Sequence, residues 1–155
     1  MNRDFVEMLA ALSAAEAEYL VVGAHALAAH GRPRATGDLD IWVRPVSDNA
    51  ERVWQALAGF GAPLGDLTRA DLSTPEIVFQ IGQPPCRIDL LTSIDGVEFD
   101  DAWRTRITVQ IDGISVPVLG RAELLVNKRA TGRAQDLADV AWLEAGDEGA
   151  AGDRG

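Results

Sequence analysis

Cysteine is nearly absent from this chain, which has one, Cys86, among 155 residues. One cysteine cannot form a disulfide within the chain, so we expect a reducing, cytoplasmic environment. Long apolar runs are missing too: stretches such as Tyr19–Val22 fall far short of the roughly 20 residues that a membrane-spanning helix needs. The first residues also lack the apolar block of a secretory signal. We therefore expect no membrane span and no secretion.

Positive charge is scarce as well. Fourteen Lys and Arg residues face 24 Asp and Glu residues, for a formal net charge of −10. Affinity for long nucleic acids comes mainly from Lys and Arg that meet phosphates, so extended nucleic acid is disfavoured as a partner. A nucleic-acid-binding module is accordingly the weakest interpretation, although a small anionic ligand held by a local site or a metal remains compatible. Only one of the fourteen is a lysine, Lys128. A single lysine among arginines is a candidate for a specific role. The alternative is a codon bias that favours arginine.

Apolar periodicity predicts alternating helices and strands. The predicted helices are 2–16, 24–30, one that follows an N-cap at Ser47, a turn at 99–103, 121–130 and 134–145. The predicted strands are 19–22, 39–43, 77–81, 86–91, 107–111 and 114–118, the last two joined by a hairpin turn at Asp112-Gly113. The segment 61–75 is expected to be a loop.

This order of elements predicts one domain of the α+β (mixed α/β) class over residues 1–145, with a central mixed sheet covered by helices. No internal repeat and no long linker divides it. Residues 146–155 are rich in glycine, alanine and acid, which predicts a disordered acidic tail.

Two aspartates share one strand. Asp38 and Asp40 are two residues apart, so their side chains point to the same side at a spacing of ~6–7 Å. Like charges this close repel, and burial adds a desolvation cost. A hard divalent cation removes the conflict because Mg²⁺ accepts carboxylate and phosphate oxygens together. The alternative is that both carboxylates are solvated on an edge strand.

A glycine turn and a third acid extend the pattern. Gly23 ends a strand and leads into a helix, which offers backbone N–H groups to a phosphate. Asp89 lies at the centre of the apolar strand Arg87–Leu91 and is expected on the same side as Arg87 and Leu91. Three acids from two adjacent strands would suit a two-metal site. The alternatives are an ordinary strand-to-helix turn for Gly23 and an exposed sheet position for Asp89.

The combined pattern resembles the nucleotidyltransferase superfamily related to DNA polymerase β. The signature of that superfamily is a Gly-Gly or Gly-Ser turn, a short spacer, an Asp-x-Asp strand and a later strand with a third acid. Here Gly23-Ala24 precedes Asp38-Leu39-Asp40 by thirteen residues, and Asp89 follows. A finer resemblance is to small bacterial AbiEii-like nucleotidyltransferases of abortive-infection and toxin–antitoxin systems. It rests on the segments 23–26, 30–31 and 34–40, on Lys128 and on the segment 133–139, and the likeness covers roughly residues 18–143.

The resemblance implies a metal-dependent transfer of a nucleoside monophosphate from a nucleoside triphosphate. The acceptor hydroxyl would belong to a small molecule, an RNA 3′ end or a protein. Asp38 and Asp40 would bind Mg²⁺ or Mn²⁺, and Asp89 would hold the catalytic metal and orient or deprotonate the acceptor. The implied nucleotide-binding residues are Gly23, Ala24, Arg34, Thr36 and Lys128.

One departure from the signature favours a second function. Ala24 stands where the second glycine or a serine is expected, and it removes a hydroxyl that would help to hold phosphate. The alternative is therefore a catalytically inactive protein of the same fold, acting as a toxin–antitoxin component or protein-binding module with a partner encoded by a neighbouring gene. The structural alternatives for Arg34 and Lys128 are a surface loop and an exposed helix face. Asp136 and Asp139 would then pair with Arg129 or Arg133.

Overall fold

The computed structural model describes residues 1–33, 37–83 and 86–153, with side chains described up to residue 146. Within these residues the helices and strands follow the predicted order. The helices are α1 (Arg3–Ala14), α2 (Gly23–Ala29), α3 (Ser47–Phe60), α4 (Phe99–Arg104), α5 (Arg121–Thr131) and α6 (Ala134–Asp153). The strands are β1 (Tyr19–Val22), β2 (Asp38–Val43), β3 (Val78–Ile81), β4 (Arg87–Leu91), β5 (Ile107–Ile111) and β6 (Ile114–Val118).

The strands form one mixed six-stranded sheet in the order β3-β4-β2-β1-β6-β5. Strand β2 runs parallel to β4 and antiparallel to β1, and β1 runs parallel to β6. The hairpins β3-β4 and β5-β6 close the two edges. The predicted α+β class with a central mixed sheet is confirmed.

Alternation along β2 decides which side chains face the core. Leu39 and Ile41 are fully buried, whereas Asp38 and Asp40 on the opposite face keep part of their surface exposed. Helices α1 and α3 pack against each other, and α1 contributes Phe5 among its buried residues. Burial of these apolar side chains stabilises the sheet, and it forces the aspartates of β2 onto the other face.

The hairpin turn between β5 and β6 confirms its sequence signal. Asp112 and Gly113 both have positive φ, at 48° and 81°, as a two-residue hairpin turn of this type requires. A glycine also ends α5: Gly132 has a left-handed backbone with φ of 66°, which lets the chain reverse into α6. This reversal brings α5 and α6 into contact.

Three local predictions differ from the structure. Ser47 is the first residue of α3 rather than its N-cap, because Val46 holds that position and no side chain caps the helix. The predicted loop at 61–75 contains a short 3-10 turn, Asp71–Ser73. Helix α6 continues to Asp153, past the predicted end at 145, while the disorder of the tail and the 1–145 boundary stay predictions. No helix in the described part of the chain has the length and apolar character needed to cross a membrane.

Candidate active site

The three predicted acids come together on one face of the sheet. In the parallel pairing of β2 and β4, Asp40 lies opposite Asp89 and Asp38 lies opposite Arg87. The intervening Leu39 and Ile88 face the core. Strand pairing therefore places four charged side chains side by side, three of them carboxylates.

Arg87 bridges two of these carboxylates. Its Nε donates to Asp89 Oδ1 at 2.8 Å, and its Nη2 donates to Asp89 Oδ2 at 3.2 Å and to Asp38 Oδ2 at 2.9 Å. The sequence placed Arg87 on the face of Asp89 but did not assign it a role. The sequence feature that could have indicated this contact is the position of Arg87 two residues before Asp89 on the same strand.

Asp40 differs from its two neighbours. No residue in the described part of the chain donates a hydrogen bond to its carboxylate, although the residue is only partly exposed. Burial raises the pKa of Asp40 to about 6, repulsion from Asp89 and Asp38 adds to the rise, and Arg87 and Arg133 oppose it. Asp40 is therefore a largely desolvated acid without a counter-ion in contact among the described residues, which is the environment that a bound cation would compensate.

Gly23 lies directly against Asp40. Its φ is +68°, and a Cβ at this position would come within 2.3 Å of Asp40 Oδ2. Only glycine combines this left-handed backbone with room for the carboxylate. The glycine predicted to admit a phosphate thus borders the central acid of the site.

We expect Gly23→Ala to displace Asp40 and to lower the free energy of unfolding by about 1–3 kcal/mol, because positive φ and a steric clash act together. Urea denaturation measures the change. Gly61→Ala is the matched control, since Gly61 has φ of +85° and a Cβ added there would meet nothing within 4 Å. Equal losses in the two variants would show that Asp40 does not depend on Gly23.

A cavity of about 230 Å³ opens beside Gly23 and Asp40. Its opposite wall is formed by α5 and the turn that follows, so the cavity lies between the acidic sheet face and the last two helices. Ala24, Asp38 and Asp89 are not among the described residues that line it. The lining residues from α5 to α6 are Asn127, Lys128, Thr131, Arg133 and Asp136.

Lys128 is buried, which contradicts the alternative that it is an exposed helix residue. It is 6% exposed, and its Nζ lies 2.9 Å from Asp139 Oδ2 and 3.4 Å from Asp136 Oδ1. Arg32 also reaches Asp139, at 3.3 Å. We call Arg32, Lys128, Asp136 and Asp139 the buried ion cluster. Lys128 lines the cavity, but two carboxylates already hold its ammonium group.

Arg133 is a cation at the cavity that the sequence did not select. Its side chain is 76% exposed, and its Nε donates to Asp136 Oδ2 at 2.7 Å. Burial tends to raise the pKa of Asp136, but hydrogen bonds from Arg133 and Thr131 outweigh it and hold the pKa at about 2. Arg129 and Arg133 were expected to pair with Asp136 or Asp139. Arg133 pairs with Asp136, whereas Arg129 pairs with Glu144.

Two predicted nucleotide-binding residues, Arg34 and Thr36, lie outside the described residues. Ala24 is the second residue of α2. A larger cavity, of about 470 Å³, lies between α4 and α5, and it contains none of the described residues that the sequence singled out.

The acids suit a hard divalent ion by chemistry but are not preassembled around one. In the described part of the chain, no group of three or more His, Cys, Asp and Glu side chains has the arrangement of a metal site. Carboxylate oxygens are the ligands that Mg²⁺ and Mn²⁺ prefer, and Asp40 is a carboxylate without a partner among the described residues. The donor set therefore fits such an ion, provided that the contacts of Arg87 with Asp38 and Asp89 give way.

Comparison with known structures supports this architecture. A Thermotoga maritima crystal structure described as that of a "putative nucleotidyltransferase" matches with a TM-score of 0.60, over 92% of this chain and 92% of that one, at 17% sequence identity. The fold is nucleotidyltransferase-like. No protein-family model matches the chain, and no curated protein matches it either. At this level of identity the likeness concerns the fold, so the activity is argued from the site.

Proposed function

We propose that this protein is a metal-dependent nucleotidyltransferase that transfers a nucleoside monophosphate from a nucleoside triphosphate to a hydroxyl acceptor. The observation that carries the proposal is the pairing of Asp40 with Asp89 across parallel strands, with Gly23 against Asp40. The nucleotidyltransferase-like fold supports it. The segments around Gly23, Asp40 and Lys128 favour the AbiEii-like type within that fold.

In this proposal Asp38, Asp40 and Asp89 hold Mg²⁺ or Mn²⁺. The bound ion would neutralise charge on the triphosphate and on the leaving pyrophosphate. Asp89 would orient the acceptor hydroxyl and accept its proton. The strands hold the acids in place, because the register of β2 and β4 fixes the position of each acid.

The cavity beside Asp40 is the proposed place of the triphosphate. Gly23 and Ala24 would offer backbone at its edge, and Arg34 and Thr36 remain proposed nucleotide-binding residues. Arg133 adds an exposed guanidinium, which suits recognition of phosphate oxygens. Lys128 lines the same cavity, and we propose that it acts there together with the acids that hold its ammonium group.

Transfer of label tests the proposal. The four α-³²P-labelled nucleoside triphosphates are incubated with Mg²⁺ and with small hydroxyl compounds, transfer RNA or the protein itself as acceptor. We expect label to move to one acceptor class with wild type and not with Asp89→Asn. Asp101→Asn, on α4 and outside the acid group, is the matched control. Transfer that survives in Asp89→Asn would contradict the assignment of the site.

Ala24 stands where the nucleotidyltransferase signature has glycine or serine, and this difference gives a separate prediction. Ala24→Ser restores a hydroxyl beside the proposed phosphate, and one added neutral hydrogen bond is worth about 0.5–1.5 kcal/mol, or roughly 2- to 10-fold in nucleotide affinity. Isothermal titration with the preferred triphosphate measures it. Ala29→Ser, at the exposed last residue of α2, is the control. Unchanged affinity in Ala24→Ser would place the triphosphate away from this turn.

The second candidate is a non-catalytic protein of the same fold that binds a partner protein encoded by a neighbouring gene. The absence of a hydroxyl at Ala24 and the net charge of −10 favour it, because an acidic surface suits a basic partner. A partner that co-purifies in stoichiometric amounts, without label transfer from any triphosphate, would support this candidate over the enzyme.

A further inference from the structure

Arg87 occupies the oxygens that a metal would need. Its guanidinium donates to both carboxylate oxygens of Asp89 and to Oδ2 of Asp38, with all three distances at 3.2 Å or less. The Arg87 side chain is 26% exposed and that of Asp89 is 12% exposed. The bridge is therefore a partly shielded contact that joins β2 to β4.

Strand pairing places Arg87 within reach of both acids. Arg87 lies directly opposite Asp38 in the parallel register, and Asp89 is two residues further along the same strand. Arg87 N also donates to Gly37 O at 3.0 Å. The backbone thus fixes the point from which the guanidinium reaches both acids.

A guanidinium and a divalent ion compete for these carboxylates. Each accepting oxygen already has one lone pair engaged by Arg87, and the two cations repel each other when both lie against the same oxygens. Asp40 has no such contact in the described part of the chain, so its charge remains to be compensated.

We propose that Arg87 is the counter-ion of Asp38 and Asp89 when no metal is bound, and that it is displaced when the divalent ion binds. This inference rests on the proposed metal-dependent function. Arg87 acts as a positioning residue: it keeps Asp38 and Asp89 together on their strands, and it sets how readily the site takes up metal. The protein would consequently bind divalent ions more weakly than three clustered carboxylates otherwise allow.

Binding of Mn²⁺ alone, followed by electron paramagnetic resonance and by thermal unfolding, tests the inference without any reaction. Removing a positive charge that contacts carboxylates raises their affinity for another cation by about tenfold or more. We expect Arg87→Gln to bind Mn²⁺ at least about tenfold more tightly than wild type, by this argument. Its melting temperature without metal should lie below that of wild type, and saturating Mn²⁺ should close the gap.

Two further variants serve as controls for Arg87→Gln. Arg69→Gln removes an arginine that pairs with Glu51 outside the site, and we expect it to bind Mn²⁺ like wild type. Arg87→Lys keeps the positive charge and serves if the glutamine variant fails to fold, with an affinity expected between those of wild type and Arg87→Gln.

The outcomes separate this inference from the proposed function. Equal Mn²⁺ affinity in wild type and both Arg87 variants, with binding lost in Asp38→Asn/Asp40→Asn, would overturn the role of Arg87 and leave the metal site standing. No Mn²⁺ binding by wild type or by the Arg87 variants would overturn the metal site, and the displacement of Arg87 with it.

Discussion

Asp40→Asn should abolish nucleotidyl transfer and at the same time stabilise the metal-free protein above pH 6. Under the proposed function, removing a carboxylate that would hold the metal removes several kcal/mol of transition-state stabilisation, a loss of at least about 100-fold in rate. The gain in stability comes from the same carboxylate. It is largely desolvated, repelled by Asp38 and Asp89, and only partly compensated by Arg87 and Arg133.

The sign of the pH dependence follows from the raised pKa of Asp40. The folded-state pKa is about 6 against an ordinary value of 3.8, so between these pH values the folded state binds more protons than the unfolded state. Stability therefore falls as pH rises through this window, and the penalty is complete above pH 6. We expect Asp40→Asn to raise the free energy of unfolding by on the order of 1–3 kcal/mol at pH 8, with no gain below pH 3.8.

Urea denaturation of metal-free protein at several pH values measures this effect. Asp38→Asn is the matched control, because it removes a neighbouring acid that already has a hydrogen bond from Arg87. We expect that control to show no comparable gain at pH 8. An Asp40→Asn variant that is less stable than wild type at pH 8 would contradict the view that the Asp40 carboxylate needs a cation.

Lys128→Met should be the most destabilising single substitution at the site. It removes the cation that Asp136 and Asp139 share, although Arg133 and Arg32 still contact them. Asp139 is fully buried. Breaking a buried pair from one side costs about 3–5 kcal/mol, and we expect the lower end of this range because both acids keep an arginine contact. For a chain of this size, that corresponds to a drop in melting temperature of roughly 10 °C.

Arg129→Met is the control one residue further along α5. Arg129 pairs with Glu144 at the surface, with about half of each side chain exposed, so its loss should change stability by less than about 1 kcal/mol. Adding Asp139→Leu to Lys128→Met should recover part of the loss, because it removes a buried carboxylate that has lost its Lys128 contact. Similar melting temperatures for Lys128→Met and wild type would show that the buried ion cluster does not hold α5 to α6.

Local pattern predicted most of the fold. The alternation of Leu39 and Ile41 with the aspartates fixes both the strand and its buried face, because a shift by one residue would bury the acids. The hairpin at Asp112-Gly113 follows from residues that tolerate positive φ. The glycine beside the acids was also found from local spacing.

Contacts between distant segments account for what the sequence did not predict. Arg87 pairs with Asp38 because the parallel register of β2 and β4 places them opposite each other. The sequence predicted neighbouring strands but not this register. Lys128 is buried because α6 folds back onto α5 and presents Asp136 and Asp139 to it. The helical pattern alone favoured an exposed lysine, and long-range packing reversed that expectation.

The most direct test of the central claim is isothermal titration of nucleoside triphosphates with and without Mg²⁺. If Asp38, Asp40 and Asp89 form one metal-dependent nucleotide site, wild type will bind at least one triphosphate when Mg²⁺ is present and lose that binding in EDTA. Asp38→Asn/Asp40→Asn will not bind it under either condition. Identical titration curves for wild type and the double variant would show that these acids are not the nucleotide site.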